Sequence, residues 1–298
     1  MNRGVSRRTV LRGVGGLAAT GLAGCLGSGT EQPVRVLSAG SLHKSFTQGL
    51  ADAAPPELTV ESHGSRKAAQ MVAEQQRDPD VLALADTDLF SSILSTPWHA
   101  TFASNAVVLA YDPDSDRGAR VADAERWYEP LLESAFALGR TDPNLDPLGY
   151  RSLFALSLAS DHYDVANLRE RVVSPEQIYP ETQLLAQFET GGLDAAFVYR
   201  NMAVERDYPF VDLPTALDLS DPALADHYAS ASVELPDGTT VTGAPIQYGA
   251  TLRSDGERAA SVFETLVESA TDYLEPYGFA VRDAHPTYEG DVPDRFND

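Results

Sequence analysis

Ser41, in Ala39-Gly40-Ser41-Leu42, and Ser65, in His63-Gly64-Ser65, each follow a glycine between an apolar run and a stretch of helical spacing. Glycine lets backbone pass close to a ligand, and a helix start offers free N–H groups and a positive dipole end. A serine there adds a hydroxyl donor without adding charge. Two such turns could hold an anion with neutral donors, although either serine could equally be a helix cap. The pattern alone leaves both readings open. Other reactive types form no constellation. His43, His63, His99, His162, His227 and His285 are scattered and lack metal-ligand spacing. There is no catalytic cysteine in the mature chain and no recognisable Ser/His/Asp arrangement, so catalysis is not expected. Arg66 and Lys67 fit a solvated helix face, Arg151 and Arg200 fit ion pairs with nearby acids, and Asp86 and Asp88 fit a loop and a helix cap.

The elements that must place these serines follow βαβ grammar. Val34 to Leu37, Leu58 to Ser62 and Asp80 to Leu84 read as strands. Helical spacing joins Leu42, Phe46, Leu50 and Ala53, and then Ala68, Met71, Val72 and Gln75. Ala106 to Tyr111 reads as a strand that crosses at Asp112-Pro113 into a second lobe. That lobe holds the turn Gly139 to Tyr150, a helix near Thr182 to Thr190 and the strand Ala195 to Tyr199. Pro245 to Leu252 returns, and a helix from Ala259 to Leu274 closes the first lobe. Two α/β lobes joined by two crossovers make a clamshell whose cleft collects the strand-to-helix turns. The expected divisions are an export signal over 1–24, a tether over 25–32, first-lobe segments over 33–111 and 245–298, and a second lobe over 112–244.

The N-terminus reads as a signal. Arg7-Arg8 precede a short, glycine-rich apolar stretch that cannot span a bilayer, a pattern resembling a twin-arginine signal. Leu22-Ala23-Gly24-Cys25 resembles a lipobox, and Cys25 is the only cysteine, so it is the expected lipid attachment site. Cleavage there removes four arginines and no acids, taking the formal charge from −22 to −26. That acidity argues against nucleic-acid binding and fits a surface solvated in high salt, where the Debye length falls to ~3 Å at 1 M. The apolar share of 43% is enough for a sizeable core.

Six segments occur in an order that carries a resemblance. They are Ala39 to Leu42, Gly64-Ser65, Phe102-Ala103-Ser104-Asn105, Asp146 to Ser152, Phe197-Val198-Tyr199-Arg200 and Pro245-Ile246-Gln247-Tyr248-Gly249. Together, over nearly the whole mature chain, they resemble the molybdate/tungstate-binding proteins of ABC importers, the ModA/WtpA family, closest to its archaeal branch. The resemblance implies a two-lobe type II periplasmic-binding-protein fold and no catalysis. It implies that Ser41 and Ser65 bind an oxyanion, that the turn at Asp146 supplies the amide of Leu148, and that Glu181 supplies another amide. The Glu181 side chain itself reads as exposed near a helix start, where the dipole favours it. Tyr199 resembles the tyrosine whose hydroxyl reaches the ligand.

Asp146 beside a dianion would be repulsive, about 4 kcal/mol for two unit charges 4 Å apart at an effective dielectric of 20. It makes sense if its oxygen bonds the hexavalent metal or if it caps its turn. Archaeal relatives use two carboxylates in this way. The second position falls on Val198 in this chain, so six-coordination is not expected. The implied ligand is molybdate or tungstate with no further cofactor. The implied partners are a membrane permease and its ATPase, with the protein a monomer held on the outer face of the cell membrane by Cys25. Sulfate or phosphate binding, or an enzyme or sensor on the same fold, are the rivals.

Overall fold

The computed structural model describes residues 32–296, so the arginine pair and Cys25 lie outside the described residues. Strands β1 (Val34–Ala39), β2 (Leu58–His63), β3 (Val81–Leu84) and β4 (Trp98–Ser104) enter a first sheet. The chain then builds a second sheet from β5 (Val107–Tyr111), β6 (Leu138–Thr141), β7 (Ile178–Tyr179), β8 (Ala195–Tyr199) and β9 (Phe210–Asp212). A hairpin of β10 (Ser232–Glu234) and β11 (Thr240–Thr242) follows. Then β12 (Gln247–Leu252) and β13 (Thr287–Gly290) return to the first sheet. Strand order is β13-β4-β12-β3-β1-β2 in one sheet and β7-β6-β8-β5-β9 in the other. Both sheets are mixed: β1 runs parallel to β2 and β3, and β6 to β7 and β8, while β12, β13, β5 and β9 pair antiparallel.

The central strands explain why apolar runs were legible. Val81 to Leu84 and Ala195 to Tyr199 are buried throughout, as expected of strands covered by helices on both faces. Helix Glu257–Glu268 packs on β4 and β12 and brings Phe263 edge-on to Trp98 at 5.2 Å. In the second lobe, Trp127 packs edge-on to Phe197 at 6.0 Å.

One boundary moves. Val107 to Tyr111 pairs with β8 and β9 of the second sheet, so the chain crosses at Asn105-Ala106, ahead of the 111/112 boundary expected from Asp112-Pro113. Strand β4 ends where Ser104 pairs with Ala280, and the Asn105 side chain accepts the Ala106 N–H at 2.9 Å, forming a two-residue link between strands. Such a link carries no glycine or proline, which is why it reads as continuous strand. The expected helix from Leu42 to Ala53 is also irregular: a 3₁₀ turn over Gly40–Leu42 leads to a π-helical stretch over Ser45–Leu50 and a single α turn over Ala51–Ala53.

Candidate functional site

The C-terminal ends of the strands in both sheets meet in one place, the arrangement in which α/β sheets collect ligands. From the first sheet come Ser41, just after β1, and Ser65, just after β2. From the second come Asp146 after β6, Glu181 after β7 and Tyr199 at the end of β8. All five are buried, and the two lobes touch. The Lys67 N–H donates to the Leu145 carbonyl at 3.1 Å, and Arg66 reaches the Asn144 carbonyl and the carboxylate of Asp237. Lys44 donates to the Glu205 carbonyl on the other side.

Neither serine caps a helix. The cap positions are Ala39 and Gly64, and no side chain bonds there. Instead each hydroxyl has its acceptor side filled by a protein donor. Ser65 Oγ accepts the Ala85 N–H at 2.9 Å, and Ser41 Oγ accepts the Tyr248 hydroxyl at 3.0 Å. Tyr248 is held in turn by Asn105 Nδ2 at 3.2 Å, which also donates to Asn201 Oδ1 at 2.8 Å; Asn201 Nδ2 closes the ring on the Ser41 carbonyl at 2.8 Å. Tyr199 Oη accepts from Arg151 Nη1 at 2.7 Å. A hydroxyl has one proton to give, and in all three that proton is left to point elsewhere. Burial pushes the Tyr199 phenol well above its ordinary pKa, so it remains a donor.

The carboxylates depart from expectation. Asp146 is the N-cap of helix Pro147–His162, and its Oδ1 accepts the Leu148 N–H at 3.2 Å. The Leu148 amide is therefore engaged with Asp146, a correction to its expected role as a free donor. Asp146 Oδ2 is buried and, among the described residues, makes no hydrogen bond of normal geometry, although the Thr141 hydroxyl is close enough to pull on the carboxyl. Glu181, expected to be exposed, is 9% exposed and lies against Gly40, where even a methyl group would overlap its carboxylate. It starts helix Glu181–Glu189, but the opposite lobe covers it. Burial first, and then the neighbouring charge of Asp146, raise the Glu181 pKa well above the usual range. Burial likewise pushes Asp146 up to about 6, against the pull of the Thr141 hydroxyl, the Leu148 amide and the Arg151 guanidinium. Glu181 is thus a second buried carboxyl of the site, close enough for the Asp146 charge to act on it. Val198, the position expected from resemblance, is an apolar side chain in mid-strand paired with Val108.

Local sequence marks these turns but not the residues that support them. Arg151, Asn105, Asn201 and Tyr248 are buried around the site. The segments holding Asn105, Arg151 and Tyr248 were visible as motifs, with nothing in their local pattern to show what they hold.

The chain matches the family profile described as bacterial extracellular solute-binding protein over residues 34–280. A Haloferax volcanii protein, whose name assigns it provisionally to molybdenum binding for an ABC transporter, is 57% identical over 97% of this chain and 96% of its own length. The molybdate/tungstate-binding protein WtpA of Pyrococcus abyssi is 29% identical over 82% of this chain and 83% of its own. Among solved structures, the periplasmic molybdate-binding protein of Azotobacter vinelandii has the same fold, with a TM-score of 0.58 over 84% of this chain and all of its own at 13% identity. With its paired sheets, two crossovers and strand ends that meet between them, this chain belongs to the family of extracellular solute-binding proteins.

Proposed function

We propose that the protein captures molybdate or tungstate between its lobes and presents the closed form to an ABC permease and its ATPase. One observation carries this reading: three hydroxyls, each already accepting a hydrogen bond from the protein, lie beside two buried carboxyls, Asp146 and Glu181, to which no lysine or arginine hydrogen-bonds among the described residues. Donors alone would suit any tetrahedral oxyanion. Two ionised carboxylates would repel sulfate or phosphate, at about 4 kcal/mol for each close unit-charge pair. A hexavalent molybdenum or tungsten centre can instead accept carboxylate oxygens as additional ligands. In this reading Ser41, Ser65 and Tyr199 donate to the oxo groups, while Asp146 and Glu181 bond the metal of the cargo.

A second reading has its own support in the raised carboxyl pKa values: protonated carboxyls would donate to a sulfate- or phosphate-like tetrahedron. The pH dependence of binding separates them. If the carboxylates bond the metal, they must lose protons on binding. Affinity is then full only above both raised carboxyl pKa values, about 6 for Asp146, and falls up to tenfold per titrating group for each pH unit below them. If they donate as acids, affinity rises as pH falls through the same range. Titration calorimetry with tungstate, molybdate, sulfate and phosphate between pH 5 and 8, in high salt, decides. A rise in affinity toward pH 5 removes the metal-ligand reading.

Ser41→Ala and Ser65→Ala each remove a donor to a charged ligand, worth about 1.5–3 kcal/mol of binding, or roughly 10- to 100-fold in Kd. Thermal shift with tungstate measures this, and unchanged binding in both variants places the ligand elsewhere. We also propose export through the Arg7-Arg8 signal and anchoring through a lipid on Cys25, leaving the protein on the outer face of the membrane as a monomer. Cys25→Ser should shift the protein from the membrane fraction to the medium or leave it unprocessed. A Cys25→Ser protein that is processed and stays with the membrane is not anchored by that residue.

A further inference from the structure

Arg151 is a fully buried charge for which simple pairing with a nearby acid is an incomplete account. It extends from helix Pro147–His162 in the second lobe, and its side chain is 4% exposed. Nη1 donates both to the Ala85 carbonyl at 2.6 Å and to Tyr199 Oη at 2.7 Å, and Nη2 lies 3.5 Å from Asp86 Oδ2. Ala85 and Asp86 follow β3 and belong to the first lobe. Tyr150, next to Arg151, also donates its hydroxyl to Asp86. The same Ala85 whose carbonyl receives Arg151 gives its N–H to Ser65 Oγ. A continuous line of hydrogen bonds therefore runs from Ser65 in one lobe, through Ala85 and Arg151, to Tyr199 in the other.

We propose that Arg151 is the positioning residue that couples lobe closure to the donors of the oxyanion site, an inference that rests on the oxyanion reading of that site. Two physical consequences follow from dividing one guanidinium between the lobes. With a cation on its acceptor side, the Tyr199 hydroxyl is fixed as a donor, and a strengthened one. Opening the lobes takes away the Ala85 carbonyl and the Asp86 carboxylate together, stripping the buried guanidinium of its counter-charge. The set in which Ser65 and Tyr199 both face a ligand oxygen then exists as a unit only in the closed form. Burial opposes the charge on Arg151, but Tyr199, Asp86 and Tyr150 outweigh it and hold the guanidinium protonated. The planar fork is what allows one side chain to serve two acceptors in different lobes. Lysine keeps the charge and loses that geometry.

The test is a double-mutant cycle on Ser65→Ala and Tyr199→Phe, measured by calorimetric tungstate Kd in the parent and in Arg151→Lys. Arg151→Lys should weaken tungstate binding roughly 10- to 100-fold, the range for losing a hydrogen bond to a charged group. The two hydroxyl losses should be non-additive in the parent and additive in Arg151→Lys. Should Arg151→Lys fail to fold, Asp86→Asn loosens the guanidinium from the first lobe without touching either donor, and it should show the same loss of coupling. Equal tungstate affinity in the parent and the variant, or coupling that survives it, removes the role of Arg151 alone. A parent protein that binds neither tungstate nor molybdate removes the site reading first.

Discussion

Glu181→Gln is expected to cut tungstate affinity by on the order of 100-fold or more while making the ligand-free protein more stable. Removing even an outer-shell partner of a bound metal costs 10- to 100-fold, so loss of Glu181, a direct ligand in the proposed reading, lies at or beyond that limit. Stability should move the other way because of desolvation. A buried acid whose folded pKa lies above its ordinary value favours the fold while protonated and loses that advantage as pH rises through the raised pKa. For the partner carboxyl of Asp146, a rise from 3.8 to about 6 corresponds to at most ~3 kcal/mol lost by pH 7.5. Glu181 is displaced upward by the same cause, with Asp146 as a second. A neutral amide removes the loss, so Glu181→Gln should melt several degrees higher than the parent in the absence of ligand.

Asp146→Asn should behave alike, since asparagine caps a helix about as well as aspartate and the Leu148 N–H keeps its acceptor. X-ray absorption adds a structural readout. Bound tungstate should show four short metal–oxygen bonds and two longer ones in the parent, and only one longer bond in either variant. A parent spectrum with four short bonds and none longer would make both carboxylates structural and leave the anion a plain tetrahedron.

The second large effect concerns a single hydrogen atom. Gly64 precedes Ser65 with ordinary extended dihedral angles, φ −54° and ψ 137°, which any residue can adopt. Its importance is distance. A methyl group there would stand 2.6 Å from the Leu145 carbonyl oxygen and 3.0 Å from the Asp146 Cβ, both in the opposite lobe. Leu145 O is also the acceptor for the Lys67 N–H, so the backbone cannot retreat without losing that bond. Gly64→Ala should therefore leave the open form intact and forbid the closed one. Tungstate affinity should fall at least ~100-fold, because a binding-competent state that is rarely populated lowers apparent affinity by that fraction. Small-angle scattering should show no compaction on adding tungstate, whereas the parent compacts. Gly238→Ala is the control: its φ of +83° makes alanine strained, but nothing lies within 4 Å of the added methyl, so binding should be unchanged while stability falls slightly. Parent-like affinity in Gly64→Ala would show that the lobes need not meet this closely.

What could be read from the chain alone was whatever has a local cause. Ala195 to Tyr199 reads as a strand because five consecutive residues suit a sheet buried on both faces, and the structure places it so. Ser41 and Ser65 stand out because a glycine before a helix start is a short-range signal, and the ordered motifs placed them in one fold. Acidity and the single cysteine are sums over the sequence and need no structure.

What tertiary structure decided was everything that depends on the opposite lobe. Glu181 at a helix start looks like an exposed acid by every local rule, since the dipole favours it there. It is buried only because Gly40, 141 positions earlier, leaves room for its carboxylate. Asn105-Ala106 gives no sign of a crossover because the pairing of Val107 with Tyr199, rather than any turn residue, moves the chain to the second sheet. The donor polarity of Ser41, Ser65 and Tyr199 is set by Tyr248, Ala85 and Arg151, each from a different segment. Periodicity reports which face of an element is apolar. Which buried polar groups meet is fixed by long-range packing, where each donor must find an acceptor from whatever segment the fold brings beside it.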